Sequence, residues 1–239
     1  MRLDRFIASQ REELSRSKVK ELCRRGLVTV NGAVVKSSDF SVDEQSDEVC
    51  ISGERIGYRE HVYIMLNKPA GVVCATKDRL TETVLELIPP ELRRRGLFPA
   101  GRLDKDTEGF VLITDDGELA HRMLSPRSHV PKTYFVRLET PVSEDTAARF
   151  SAGITIDGGE LCLPAELTFT DVPNECLLVL HEGKFHQVKR MFAAVGNRVT
   201  YLKRVRIGAL ELDEKLPLGA CLEIMHKDVD KLLTRQSPD

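Results

Sequence analysis

The stretch GRLDKDTEGF, residues 101–110, crowds acidic and basic side chains into a loop before an apolar run. Asp104 lies between Arg102 and Lys105, and nearby cations favour the ionised form of a carboxyl group. The apolar residues 110–113 predict a strand, so the loop is attached to a rigid element, and reactive groups often lie on such loops. An ionised carboxylate in a cleft serves as a nucleophile or a general base. Asp104 is therefore the first candidate catalytic residue.

The other acidic residues nearby have simpler explanations. Asp115 and Asp116 precede a predicted helix, where turn formation and capping account for them. We interpret Asp106 and Glu108 as solvated loop charges. The spacing leaves a carboxylate-dependent reaction open, with glycoside-type chemistry at a ribose as one option.

An aromatic residue in TYFVRLE is a second candidate. Strand alternation places Tyr134, Val136 and Leu138 on one face. Tyr134 is then either part of the core or a ring offered to a nucleobase, because stacking a flipped base needs such a ring.

Basic residues in FHQVKRMFAAVG are a third candidate group. The spacing predicts a helix that ends at Gly196. Its predicted buried stripe contains Phe185, Val188, Phe192 and Val195. Lys189 and Arg190 lie off the centre of that stripe, where they are either solvated or available to a ligand.

The sequence has no pattern typical of a metal or nucleotide site. Its six cysteines form no CxxC pair, so we expect reduced core residues. The histidines of HEGKFH are too far apart to share a helix face as in HExxH, and GLFPAGRL lacks the Lys-Ser/Thr of a phosphate loop. No apolar run reaches the ~18 residues of a membrane span, and the N-terminus has no signal-peptide pattern. We expect a soluble, cytoplasmic protein without membrane contacts.

Charge is unevenly distributed along the chain, although the net charge is only -2. Residues 1–36 contain nine Lys and Arg against four Asp and Glu, and residues 37–60 reverse this excess with two against seven. Residues 182–206 contain seven basic residues against one acidic residue. Two basic segments separated by acidic sequence favour contact with phosphate groups over a uniformly solvated surface.

The N-terminal segment predicts two short helices and a hairpin. The pattern runs RLDRFIA, then SRSKVKELCRRG with a helix ended by Gly26, then LVTVNGAVV with Asn31 and Gly32 at the turn. This order resembles the S4 RNA-binding domain, and we expect such a domain over residues 1–58. Its second helix displays the candidate RNA-binding residues Arg16, Lys18, Lys20, Arg24 and Arg25.

Residues 59–239 predict a second domain in which strands outnumber helices. EHVYIMLNKPAGVVCAT predicts a strand, a turn at residues 67–71 and a returning strand. KTYFVRLET, CLLVLHEG and VTYLKRVRIGALELD predict further strands. Several strands are hairpin-linked, so we expect an α+β fold with an antiparallel-rich mixed sheet.

The chain resembles the pseudouridine synthases, and within them the RsuA branch, which modifies small-subunit (16S) ribosomal RNA. The resemblance rests on the S4-like segment, MLNKPAGVVCAT, GRLD, KTYFV and EGKFHQVKRMFAAVGNRV, which occur in the order typical of the family. It implies that Asp104 is the catalytic aspartate, Tyr134 the aromatic residue that holds the base, and Lys189 the basic partner that keeps Asp104 ionised. Many relatives have arginine at the last position, and lysine still supplies the charge.

The resemblance also implies the reaction and the partners. The uridine N1–C1′ bond breaks, the uracil rotates, and C5 joins C1′, with no metal, nucleotide or redox cofactor. Arg102 helps to hold the target nucleotide out of the stack, and Arg190 contributes to RNA binding. The expected partner is ribosomal RNA in a partly assembled small subunit, met by a monomer during ribosome biogenesis.

Three alternatives remain at this stage. The first is a related synthase that acts on large-subunit (23S) RNA. The second is a catalytically silent ribosome assembly factor, against which the presence of Asp104, Tyr134 and Lys189 argues. The third is a glycosidase, which needs a second carboxylate about 5 to 9.5 Å from the first, and Asp106 is the nearby candidate.

Overall fold

The computed structural model describes residues 1–125, 128 and 130–234. Packing divides the chain into two compact units. The first contains Met1–Val62 and Pro89–Leu97, and the second contains Tyr63–Ile88 and the described residues from Phe98 onward. The domain boundary between residues 58 and 59 stays a prediction. None of the described helices is both long and apolar enough to span a bilayer.

The first unit packs two helices against a small antiparallel sheet. Its elements are α1 (Leu3–Gln10), α2 (Arg16–Arg24), β1 (Val28–Val30), β2 (Ala33–Val34), β3 (Val49–Ile51) and β4 (Glu54–Ile56), and a short 3-10 helix covers Pro90–Leu92. The strand order is β2-β1-β3-β4. Leu3, Phe6 and Ile7 of α1 are fully buried against Val19 of α2 and Val28 of β1.

The local signals in this unit act as predicted. The Ser15 side chain accepts a hydrogen bond from Lys18 N at 3.2 Å and caps α2. Gly26 follows the helix with a φ of +73°, and Leu27 N donates to Leu22 O at 3.1 Å, as in a Schellman motif. Asn31 and Gly32 both have positive φ and join β1 to β2, which confirms the hairpin.

The second unit is built on one mixed sheet of nine strands. Its strands are β5 (Tyr63–Lys68), β6 (Phe98–Ala100), β7 (Glu108–Thr114), β8 (Lys132–Leu138), β9 (Glu166–Phe169), β10 (Glu175–Leu180), β11 (Val199–Ile207), β12 (Leu210–Glu211) and β13 (Cys221–Glu223). Its helices are α3 (Gly117–Leu124), α4 (Glu144–Ser151), α5 (Gln187–Ala194) and α6 (His226–Val229), and 3-10 turns cover Asp157–Gly159 and Asp230–Leu233.

One edge of β7 pairs with two different strands along its length. The strand order is β13-β5-β7-β11-β8-β10-β9, with β12 beside β11 and β6 beside β7. β5 lines one edge of β7 along most of its length. On the other edge, the start of β7 pairs in parallel with β11 and its end pairs antiparallel with β6. The loop of residues 101–107 leaves β6 and enters β7 where this change occurs, and the antiparallel-rich α+β prediction is confirmed.

Two details of the predicted elements are wrong. The chain forms no returning strand after Gly71, where Val73 makes only an isolated bridge with Thr83. The helix of residues 187–194 begins after Phe185, so this ring is not part of the buried stripe and is 74% exposed. Val188 and Phe192 are buried as predicted and Met191 lies with them, whereas Val195 follows the last residue of the helix and is only partly buried.

Candidate functional site

The loop of residues 101–107 is anchored by a buried lysine. Lys68, at the end of β5, has no exposed surface, and its ammonium group donates to Lys105 O at 3.2 Å and Thr107 O at 2.8 Å. A third bond reaches Pro69 O at 2.9 Å. Gly71 N also donates to Lys105 O at 2.8 Å. The NKPAG turn therefore fixes the part of the loop that carries Asp104.

Burial of Lys68 has an electrostatic consequence. Removal from water lowers the pKa of its ammonium group, although Asp106 and Glu108 oppose the shift. Its three carbonyl acceptors satisfy the three donors of the ammonium group without a carboxylate contact. Lys68 consequently stabilises backbone geometry and leaves the carboxylates of the loop available to other cations.

Asp104 and Lys189 come together although 85 positions separate them in the sequence. Lys189 Nζ lies 3.1 Å from Asp104 Oδ2 and 2.6 Å from Asp106 Oδ1. The Asp104 side chain is 24% exposed, whereas that of Asp106 is 72% exposed. One ammonium group thus holds two carboxylates, which leaves the group of three with a net negative charge.

The pKa shifts follow from this arrangement. Burial lowers the pKa of Lys189, but hydrogen bonds and charges from Asp106 and Asp104 exceed that effect and leave it raised. The hydrogen bond from Lys189 holds the pKa of Asp106 below its usual value, although partial burial opposes this. Both effects keep Lys189 charged and Asp106 ionised near neutral pH.

His186 also faces Asp104 from the start of α5. Its Nε2 lies 3.6 Å from Asp104 Oδ1, and its ring stacks on Phe185 with centroids 3.7 Å apart. The backbone of His186 has a φ of +50°, which is uncommon outside glycine, although histidine adopts it more readily than most residues. This conformation turns the chain into the helix that carries Lys189.

Tyr134 and Arg204 occupy directly opposed positions on β8 and β11. Arg204 in turn pairs with Gly109 on β7, and Gly109 with Lys68 on β5, so one row of the sheet contains Tyr134, Arg204 and Lys68. Tyr134 is buried with Val136 and Leu138, which confirms the shared face. The backbone register therefore places Tyr134 two strands from Gly109, the second residue of β7 after the Asp104 loop.

A buried arginine lies in this row. Arg204 is 2% exposed, its Nε donates to Phe110 O at 2.7 Å, and its Nη2 has no hydrogen-bond partner among the described residues. Burial and the charge of Arg204 lower the pKa of Lys132 to about 8. Arg204 thus ties β11 to β7 through backbone recognition.

Glu108 is not a free loop charge, contrary to the prediction. It begins β7, and its Oε2 accepts a hydrogen bond from the Tyr201 hydroxyl at 2.7 Å. Burial and this contact raise the pKa of Tyr201 to about 12. Asp116 behaves as predicted, because it caps α3 by accepting a bond from Leu119 N at 2.9 Å.

The predicted RNA-binding residues lie in different surroundings. Arg102 is exposed two positions before Asp104. Arg190 forms ion pairs with Asp157 at 2.5 Å and Glu160 at 2.8 Å, so its charge is already matched within the protein. In the first unit the five predicted residues are exposed: Arg16, Lys18, Lys20 and Arg24 on α2, and Arg25 directly after it. Their contact with RNA stays a prediction.

Sequence reasoning missed Lys68, His186 and Arg204. Lys68 and His186 lie inside the motifs NKPAG and KFHQVKR. Membership in these motifs could have identified the two residues, whereas periodicity could not. Arg204 lies in a strand where alternation predicts half-buried residues, and a buried arginine breaks that pattern. Within the described part of the chain, no three His, Cys, Asp or Glu side chains come together as a metal site requires.

Two family models match this chain. Residues 62–194 match RNA pseudouridylate synthase, and residues 1–49 match the S4 domain. The uncharacterized RNA pseudouridine synthase YtzG of Bacillus subtilis (strain 168) is 45% identical, over 97% of this chain and 98% of its own length. Ribosomal small subunit pseudouridine synthase A of Escherichia coli (strain K12) is 42% identical, over 96% of this chain and 98% of its own length.

Solved structures agree with these matches. A crystal structure of pseudouridylate synthase superimposes with a TM-score of 0.68 at 41% identity, over 97% of this chain and 99% of that one. The similarity therefore includes both units of the chain.

Proposed function

The chain belongs to the RNA pseudouridylate synthase family, and from this premise we propose that it isomerises a specific uridine of small-subunit (16S) ribosomal RNA to pseudouridine. In this proposal Asp104 is the essential aspartate and no cofactor takes part. The names of the relatives support the choice of substrate, because proteins of Vibrio vulnificus and Escherichia coli at 42% identity are both named ribosomal small subunit pseudouridine synthase A.

The observation that supports the catalytic assignment is the contact between Asp104 and Lys189. The 3.1 Å ion pair orients the Asp104 carboxylate, while 24% of that side chain stays exposed. A carboxylate that is held in place and still reachable suits a nucleophile or a base. Asp106 is bound to the same lysine but is far more exposed, so Asp104 is the better-oriented of the two.

The reaction needs no external reactant. The N1–C1′ bond breaks, the uracil turns, and C5 bonds to C1′, while the proton on C5 is lost and N1 gains one. Product and substrate are isomers, so neither oxidant nor reductant enters. Asp104 acts on the ribose or on the uracil ring. Lys189 stabilises the negative charge of the Asp104 carboxylate when that carboxylate is not bonded to the substrate. Tyr134 holds the base and assists removal of the C5 proton.

We propose that the S4 domain and the loop of residues 101–107 bind the RNA. The exposed α2 residues, Arg16, Lys18, Lys20, Arg24 and Arg25, bind phosphates without reading sequence. Arg102, exposed beside the loop, helps to keep the target nucleotide out of the stack. The substrate proposed is a partly assembled small subunit, bound by one copy of the chain.

Tritium release from C5-labelled uridine tests the proposal directly. The purified protein, Asp104→Asn and the matched control Asp106→Asn are each given small-subunit RNA, free and partly assembled with ribosomal proteins. We expect stoichiometric release by the wild type, none by Asp104→Asn, and release by Asp106→Asn within about tenfold of the wild type.

The same assay separates the alternatives. Release from large-subunit RNA alone would move the substrate to the other subunit and leave the catalytic assignment intact. Equal loss in both variants would show that the two carboxylates act as a pair and would contradict the single essential aspartate. No release from any ribosomal RNA would refute the proposed function.

A further inference from the structure

Phe185 presents an aromatic ring to solvent beside the Asp104 site. Its side chain is 74% exposed, compared with 44% for Phe40 and Phe169. Single exposed apolar side chains are common and need no explanation. Phe185 differs because one side of its ring is stacked on His186, at an interplanar angle of 20°, while much of the side chain remains open.

The position of this ring is built into the fold. Phe185 O accepts a hydrogen bond from Arg190 Nη1 at 3.1 Å, and Arg190 is itself held by Asp157 and Glu160. The left-handed backbone of His186 places its ring between Phe185 and the carboxylate of Asp104, 3.6 Å from His186 Nε2. Phe185 thus lies in the turn directly before α5, and its carbonyl is bound by a side chain of that helix.

The chemistry of a flipped uridine calls for such a ring. When a uridine leaves the stack, the base beside it loses a stacking partner, and proteins that bind unpaired nucleotides replace that partner with aromatic side chains. A two-ring stack with one exposed side has the shape of such a platform. Nothing else in the proposed roles uses Phe185, because Tyr134 is assigned to the target base and Arg102 to the gap it leaves.

We infer that Phe185, backed by His186, is a stacking subsite for the unpaired base that neighbours the target uridine in the RNA. The inference rests on the proposed function and adds to it a contact outside the catalytic group. Stacking accepts any base, so this subsite adds affinity and fixes the position of the strand without adding sequence specificity.

Three variants test the subsite. Phe185→Leu keeps an apolar side chain and removes the ring, Phe185→Tyr keeps the ring, and Phe169→Leu removes an exposed ring from strand β9. Each is assayed in single-turnover pseudouridine formation on an RNA fragment that contains the mapped target. We expect Phe185→Leu to raise the RNA concentration for half-maximal rate about tenfold, at an unchanged maximal rate. Phe185→Tyr and Phe169→Leu should match the wild type.

Two further RNAs distinguish stacking from a structural defect. Each lacks one base, on the 5′ or the 3′ side of the target uridine, and keeps its backbone. If Phe185 stacks on a neighbouring base, the difference between wild type and Phe185→Leu disappears on one of the two RNAs. The inference is overturned if that difference persists on both RNAs, or if Phe185→Leu equals the wild type on intact RNA.

Failure of the subsite and failure of the proposed function have different results. An active wild type with an unaffected Phe185→Leu variant rejects the subsite alone. A wild type that isomerises no ribosomal RNA rejects the proposed function, and the subsite with it, because no uridine would then be flipped.

Discussion

The two units each contain an ion triad, and the triads are opposite in composition. In the S4 domain one carboxylate, Asp4, binds two arginines: Arg2 at 2.9 Å and Arg16 at 3.3 Å. In the synthase unit one cation, Lys189, binds the two carboxylates Asp104 and Asp106. The first triad has a surplus positive charge and the second a surplus negative charge.

The carboxylates of the two triads differ in how accessible they are. The Asp4 side chain is 8% exposed and accepts hydrogen bonds on both oxygens, so its carboxylate is fully used in joining α1 to α2. In the other triad Asp104 remains partly exposed, and among the described residues its Oδ1 has the longer 3.6 Å contact with His186 as its one ionic contact. We therefore expect the enclosed carboxylate of Asp4 to support structure, and the partly exposed carboxylate of Asp104 to be the one available for the proposed chemistry.

The largest effect should come from the shared cation of the second triad. Lys189→Met leaves two neighbouring carboxylates without their common partner, and we expect the single-turnover rate to fall about 10²- to 10³-fold. Arg2→Met, which removes one cation from the first triad, should leave the rate within about twofold. Pseudouridine formation under saturating RNA is the measurement, and equal rate losses in the two variants would contradict the division between chemistry and structure.

Packing around the second triad should be less tolerant than packing in the S4 hairpin. A Cβ on Gly109 would lie 2.3 Å from Arg204 O, at a φ of +101°, whereas one on Gly32 meets nothing within 4 Å. We expect Gly109→Ala to lower the free energy of unfolding by about 3 kcal/mol or more, and Gly32→Ala by about 1 kcal/mol. Chemical denaturation followed by circular dichroism compares them, and a smaller loss for Gly109→Ala would show that β7 and β11 separate easily.

The contribution of the first triad to stability should depend on pH. Hydrogen bonding by Arg2 holds the pKa of Asp4 below its usual value, against the opposing effect of burial. Its stabilisation is therefore present above the unfolded pKa of about 3.9 and is lost as pH falls through the lower folded value. Asp4→Asn should reduce the stability of α1 by about 2 kcal/mol at pH 7 and by much less near pH 2.

Amide hydrogen exchange is the suitable measurement here, because it reports on α1 separately from the second unit. Asp106→Asn is the comparison, since its carboxylate is mostly exposed and should change exchange in α1 by nothing measurable. If the difference in α1 stability between the wild type and Asp4→Asn stays constant from pH 7 to pH 2, the charge of Asp4 does not contribute to that stability.

The smallest effect should come from the exposed cations of α2. Lys20→Gln and Arg24→Gln each remove one proposed phosphate contact, so RNA affinity should fall a few-fold and the slope of log K against log salt by about 0.7 to 0.9. The maximal rate should not change. Binding measured across a salt series checks this, and an unchanged slope would remove these two residues from the RNA-binding surface.

Local patterns predicted much of the fold. The caps of α2, the Asn31-Gly32 hairpin and the face shared by Tyr134 and Val136 all depend on residues a few positions apart, and all are confirmed. Phe185 was misplaced because helix periodicity does not say where a helix begins. The expected strand after Gly71 did not form, because Val73 instead bonds locally, donating its amide to Glu82 O and accepting from Val84 N.

The sequence by itself determined the local caps and turns, the Asn31-Gly32 hairpin and, through its motifs, the family. The resemblance to the family implied that Asp104 and Lys189 are partners. Only the tertiary structure gave the distance between them and showed that Asp106 shares Lys189, that Lys68 is buried beneath the loop, and that Phe185 is exposed. The physical reason is range: these contacts join residues 37 to 85 positions apart, and no periodicity or capping rule extends that far. The geometry of these contacts depends on the pairing of β7, which lies beside β11 at its start and beside β6 at its end.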